Sequence, residues 1–337
     1  MTDNGTTPLR PRESRRARRR RGLTATAAGL AVTLGLGLSS LTGGHAVAAQ
    51  ESAGTGRASA AAADTVTEPQ GPEQTGFSSA FRYSLLHPTA VPAGANDWAC
   101  RPGPAHPHPV VLVHGTFENR YANWAALAPR LKRAGYCVYA LNYGAPDAAP
   151  LKATGDMAAS AGQLSAFVDR VLGATGAAEA DIVGHSQGGL MPRYYIDRLG
   201  GADKVAKLVA LTPPNHGTTF QGMGLMARAT PGADELLGVS CASCEQQLVG
   251  SDFLRDLNSG GGTVPGVDYT VIATVHDQVV TPFTSSYLAP AANVANRTVQ
   301  AYCLTNTSDH IDISYDPVAV RLVLDALDPA AGEHTGC

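Results

Sequence analysis

One nine-residue stretch constrains this chain more than any other: Asp181-Ile182-Val183-Gly184-His185-Ser186-Gln187-Gly188-Gly189, an apolar run that meets Gly-x-Ser-x-Gly and continues in a helical pattern. A strand that turns directly into a helix must double back on itself, and side chains at Gly184 and Gly188 would collide where it does so. Such an elbow presents its serine at the tip, which makes Ser186 the candidate nucleophile. The pentapeptide also occurs in ordinary glycine-rich turns, so its meaning depends on what surrounds it.

What surrounds it is an alternation of short β-branched runs with longer amphipathic ones from residue 109 onward. Strands are expected over 109–113, 136–141, 180–184, 205–211, 269–274 and 299–304, and helices over 123–134, 156–173, 187–199 and 317–327. The second of these helices carries Leu164, Phe167, Val168, Val171 and Leu172 at helical spacing, a core stripe; Pro192 is expected to give the third a kink or an irregular first turn. The class is therefore α/β, a mostly parallel sheet with helices on both faces. Between 217 and 262 the alternation breaks into a segment rich in Gly, Met, Leu and Ala, as a cap or lid insertion over the C-terminal edge of the sheet would. Its Met223, Leu225, Met226, Leu236 and Leu237 either line a site at that edge, cover it, or pack on the sheet.

A serine hydroxyl needs a base to take its proton during attack, and the base needs an acid to hold its tautomer. Active groups of open parallel sheets lie beyond the C-terminal ends of the strands, so the loops after the last two strands are the place to search. They read Val275-His276-Asp277-Gln278 and Ser308-Asp309-His310. The chain order Ser186, Asp277, His310 is nucleophile, acid, base; His276 and Asp309 stand beside them as substitutes. Oxyanion donors are expected from the Gln187 N–H and from Thr116, whose hydroxyl could add another, with Phe117 as the alternative. His114 reads as a loop-packing histidine, and His106 and His108 as exposed. Cys241-Ala242-Ser243-Cys244 admits a redox or zinc reading, but no second cysteine pair or nearby histidine completes a zinc set. Neither a metal nor a cofactor is expected.

The N-terminal region concerns address. Eight arginines between Arg10 and Arg21 precede an apolar run over 23–41 and then Ala46-Val47-Ala48, the three parts of a secretory signal peptide, so 1–48 is expected to be removed. A nucleic-acid-binding arm or a retained membrane anchor competes, but the run is short and glycine-rich for a span. Ser14-Arg15-Arg16 leaves the twin-arginine and general secretory routes both open. Residues 49–76, poor in anything to bury, read as a disordered spacer, and 77–337 as the catalytic domain. Of 25 basic and 28 acidic side chains the leader takes eight and two, so the chain without it has 17 against 26 and a net charge of -9. That acidic balance disfavours nucleic acid as a partner. Six cysteines suit an oxidising compartment, and the expected pairs are Cys100 with Cys137, Cys241 with Cys244, and Cys303 with Cys337.

Five separated motifs together carry a resemblance. They are Val113-His114-Gly115-Thr116-Phe117, Gly184-His185-Ser186-Gln187-Gly188-Gly189, Thr212-Pro213-Pro214-Asn215-His216-Gly217-Thr218, Asp277-Gln278-Val279-Val280-Thr281-Pro282 and Asp309-His310. The set resembles the secreted bacterial class 2 lipases and is also similar to the yeast lipase B type; Thr212-Pro213-Pro214 departs from the Thr-Pro-Asn form of that group. The resemblance covers about residues 77 to 337. It implies an α/β-hydrolase fold and a secreted serine hydrolase of carboxylic esters, a lipase or esterase with a triad at Ser186, Asp277 and His310. Its partner would be an ester or lipid, met transiently at a lipid–water interface. A polyester depolymerase or a short-chain carboxylesterase is the alternative, and a non-catalytic hydrolase-like binding domain is the alternative from another class. Nothing in the pattern specifies an oligomeric state.

Overall fold

Six parallel strands build the centre: β1 (Val110–Val113), β2 (Val138–Ala140), β3 (Ala180–His185), β4 (Val205–Leu211), β5 (Asp268–Ala273) and β6 (Val294–Thr298). Their spatial order is β2-β1-β3-β4-β5-β6, with every neighbouring pair parallel. The computed structural model describes residues 68–219, 241–331 and 337, all within one unit that runs from residue 64 to 337. The expected signal peptide, most of the expected spacer and residues 220–240, with Met223, Leu225, Met226, Leu236 and Leu237, lie outside the described residues.

Both faces of the sheet are covered, which is why β1 is apolar at every position instead of alternating. Val110 and Leu112 join one core with Trp124, Leu127, Leu131, Val318, Leu322 and Val323. Val111 and Val113 join the opposite core with Leu164, Val168, Val171, Met191 and Tyr195. The first core is closed by α2 (Arg120–Trp124), α3 (Leu127–Arg133) and the C-terminal α9 (Pro317–Leu327); the second by α4 (Met157–Thr175) and α5 (Gln187–Arg198). The chain has the α/β-hydrolase fold.

Three boundaries differ from expectation for identifiable reasons. The helix expected over 123–134 is two short ones, because Pro129 has no N–H to give and its ring crowds the carbonyl of residue 125. The first of them starts earlier because the Asn119 side chain accepts the N–H groups of Tyr121 and Ala122. The last strand is 294–298 and not 299–304: β6 is a half-exposed edge whose polar sequence gives no apolar signal, whereas Val299–Tyr302, here α8, is a single helical turn. Helix α5 runs through Pro192. At the N-terminal side, residues 68–76 pack on the domain. Gln70 bridges to Val91, the Glu68 carboxylate accepts from Arg120 at 2.8 Å, and α1 (Phe77–Leu86) comes next.

Candidate active site

Ser186 sits between β3 and α5 with φ 54° and ψ -124°, in the left-handed half of backbone space that a side chain rarely enters. The turn is held by Ser186 N–H donating to Leu211 O at 2.8 Å and Gly189 N–H to Ser186 O at 2.9 Å. Both flanking glycines are required. A Cβ on Gly184 would stand 1.9 Å from Gly188 O, and one on Gly188 would stand 2.0 Å from Val113 O.

Ser186 and His310 open onto one cavity of about 190 Å³, lined also by Thr116, Phe117, Pro214, Val280 and Ile311. Behind the histidine, its Nδ1 lies 2.9 Å from Asp277 Oδ2. The other carboxylate oxygen accepts N–H from Val279 at 2.9 Å and Val280 at 2.7 Å, so Asp277 is fixed by three contacts and both side chains are buried. The neighbours resolve by orientation. His276 is exposed, and Asp309 holds its own turn, accepting from the N–H groups of Ile311 and Asp312 and from the Gln278 amide. Asp316 caps α9 through the N–H groups of Val318 and Ala319.

On the opposite wall, the N–H of Gly115 is engaged by Glu118 and Asn123 and that of Phe117 by Lys152 O at 3.0 Å. Of these three consecutive N–H groups only that of Thr116 has no acceptor among the described residues. The Thr116 hydroxyl is occupied: it donates to Gln187 Oε1 at 2.6 Å and accepts from Gln247 Nε2 at 3.1 Å. His114 is fully buried, with Nδ1 against Gly115 O and its ring stacked on Tyr143. Burial holds its pKa down to about 4.

Gln247 was not legible as a site residue. It ends the short helix α6 (Ala242–Gln246), 131 residues beyond Thr116, in the segment where the sequence pattern breaks down. The Cys241–Cys244 disulfide closes the start of that helix; Cys100–Cys137 and Cys303–Cys337 are bonded as well. Helix α7 (Asp252–Asn258) comes after it and packs Leu254 and Leu257 on Met157 of α4 and Leu190 of α5. His106 stacks on Tyr136, and His108 faces Asp181 at 3.4 Å. Among the described residues no group of three or more His, Cys, Asp or Glu is arranged to hold a metal ion.

Comparison with known proteins adds a family to this geometry. A model described as lipase (class 2) matches residues 107–321. Triacylglycerol lipases of Pseudarthrobacter phenanthrenivorans and Burkholderia plantarii are each 34% identical over 120 residues, 34% of this chain and respectively 35% and 31% of theirs. The match therefore spans about a third of the length of these curated relatives. Among solved structures, Aspergillus fumigatus lipase B aligns with TM-score 0.55 at 22% identity, over 73% of this chain and 56% of that one. The mature form of Bacillus licheniformis lipase BlEst2 aligns with TM-score 0.50 at 17% identity, over 67% and 94%. At those identities the likeness is one of fold.

Proposed function

The chain belongs to the class 2 lipase family, and from that premise we propose that it is a secreted serine hydrolase that cleaves carboxylic esters, of the triacylglycerol lipase or esterase kind, through an acyl-enzyme on Ser186. The observation that carries the reading is the buried 2.9 Å contact from Asp277 to His310, on a histidine that shares a cavity with an elbow serine.

In this mechanism His310 takes the Ser186 proton as Oγ attacks the ester carbonyl, and Asp277 holds the tautomer and stabilises the imidazolium. The oxyanion forms against the N–H groups of Gln187 and Thr116; the open N–H of Thr116 between two engaged neighbours supports that assignment. Collapse of the intermediate expels the alcohol, which receives the proton from His310. Water then attacks the acyl-Ser186 by the same route in reverse. The fully paired cysteines and the basic-apolar leader over 1–48 support export, with 77–337 as the catalytic domain and 217–262 as its cap.

Ser186→Ala is expected to lower turnover of an activated ester by about four to six orders of magnitude, and a fluorophosphonate is expected to label the wild type at Ser186 alone. Near-normal turnover in the variant, or no label on folded wild type, would remove the mechanism and favour a binding domain. Rates over a series of acyl lengths, emulsified triglyceride and a polyester film then assign the ester.

A further inference from the structure

A second acid–histidine pair lies beneath the elbow. His185 Nδ1 is 3.2 Å from Glu118 Oε2, and its Nε2 is 2.8 Å from the backbone oxygen of His310. Both side chains are buried. The same Glu118 oxygen receives the Gly115 N–H at 3.2 Å. Gly115 is pressed against all of them: a Cβ there would meet Glu118 Oε2 at 3.1 Å, His185 Nδ1 at 3.2 Å and Ser186 Cβ at 3.2 Å.

Hydrogen accounting defines the pair. A carbonyl oxygen only accepts, so Nε2 of His185 carries a hydrogen toward His310. At the other end one proton is held between Nδ1 and Oε2. Burial by itself would lower the histidine and raise the carboxyl, yet their mutual attraction and hydrogen bond reverse both, leaving His185 raised and Glu118 lowered. An ion pair in this position needs both partners, since either one alone would be an uncompensated buried charge.

We propose that Glu118 and His185 are positioning residues of the hydrolytic site, a single buried pair that ties the loop after β1, at Gly115, and the main chain of His310 to the residue that precedes Ser186. The proposal rests on the triad reading above. Three groups that must meet the substrate carbonyl come from three separate strand ends: Thr116 after β1, Ser186 after β3, and His310 after β6. Asp277 holds the His310 ring from its far side, and His185 holds the backbone of the same residue, so the imidazole is fixed at two points. A misplacement of about 1 Å between such groups costs on the order of a hundredfold in rate.

The test separates positioning from packing. Glu118→Gln keeps the shape, but the one amide atom at the Oε2 position can accept from Gly115 or donate to His185, not both. Glu118→Met combined with His185→Phe removes the ties while filling the space, an exchange that folds usually tolerate. Active sites are counted with a fluorophosphonate, and kcat per labelled site and KM are measured beside thermal melts. Both variants are expected to lose about 30- to 100-fold in kcat per site with KM within about threefold, the double variant melting within a few degrees of the wild type. Unchanged kcat per site in the folded double variant would overturn the proposal and leave the triad intact. A wild type that is neither labelled nor inactivated by Ser186→Ala would overturn the triad reading and this proposal with it.

Discussion

A Cβ on Gly188 would stand 2.0 Å from the carbonyl oxygen of Val113, so the turn after Ser186 and the end of the first strand share a space that admits only a hydrogen atom. The elbow is thus built against its neighbouring strand as much as by its own sequence. Gly188→Ala is expected to cost at least about 3 kcal/mol in stability, with activity lost in parallel. Gly162 and Gly173 of α4 have nothing within 4 Å of an added Cβ, and Gly162→Ala should instead stabilise by about 0.5–1 kcal/mol through helix propensity. Denaturant melts of the two variants give the comparison; equal costs would refute the steric account.

Asp277→Asn leaves an oxygen to accept the Val279 and Val280 N–H groups, so the loop is expected to stay folded. What changes is the atom facing His310 Nδ1, and the histidine loses its orienting charge. kcat is expected to fall by about four orders of magnitude, with KM altered only a few-fold. Retained kcat would take Asp277 out of the mechanism.

Gln247, at the end of α6, ties that helix to the cavity wall, donating to Thr116 Oγ1 at 3.1 Å and Gln187 Oε1 at 3.3 Å. Gln247→Ala and Thr116→Val should each lower kcat by about tenfold, the value of one hydrogen bond in placement. Because they disrupt the same network, the double variant should lose less than the product of the two. A fully multiplicative double variant would show that the side chains act separately.

His114 supplies an acid-labile element of stability. Its Nε2 is buried with no hydrogen-bond partner among the described residues, and the folded pKa is held down to about 4 by burial, below the ordinary value near 6.5. Between those values the unfolded chain binds a proton that the folded chain refuses, so stability falls as pH drops, by about 3 kcal/mol once pH is below 4. His114→Phe removes that titration at a cost within about 1 kcal/mol at pH 7. The melting-temperature difference between variant and wild type should therefore move in the variant's favour from pH 7 to pH 4; a constant difference would refute it.

Particular elements show why some features are legible in the sequence and others are not. Strand β1 is apolar throughout, and β3 and β4 carry apolar runs at Ile182-Val183 and Leu208–Leu211, because both sheet faces are covered, and α9 begins at a proline behind an aspartate cap; these signals are local and strong. The sequence pattern misplaces β6 by one element because an edge strand buries little, and it merges α2 with α3 because Pro129 falls inside an otherwise periodic apolar run. His276 and Asp309 cannot be set apart from Asp277 and His310 by sequence, since adjacent residues differ there only in which way they face.

The amino-acid sequence by itself determined the α/β order, the glycine-flanked serine, and the order of serine, acid and histidine along the chain, because each of these is a matter of local pattern or of residue type. The tertiary structure alone decided that the Thr116 hydroxyl is occupied by Gln187 and Gln247, and that Glu118 and His185 meet beneath Ser186. Those contacts join residues 67 to 131 positions apart. No periodicity or motif encodes such a meeting; it exists only once the parallel strands bring their C-terminal ends to one edge.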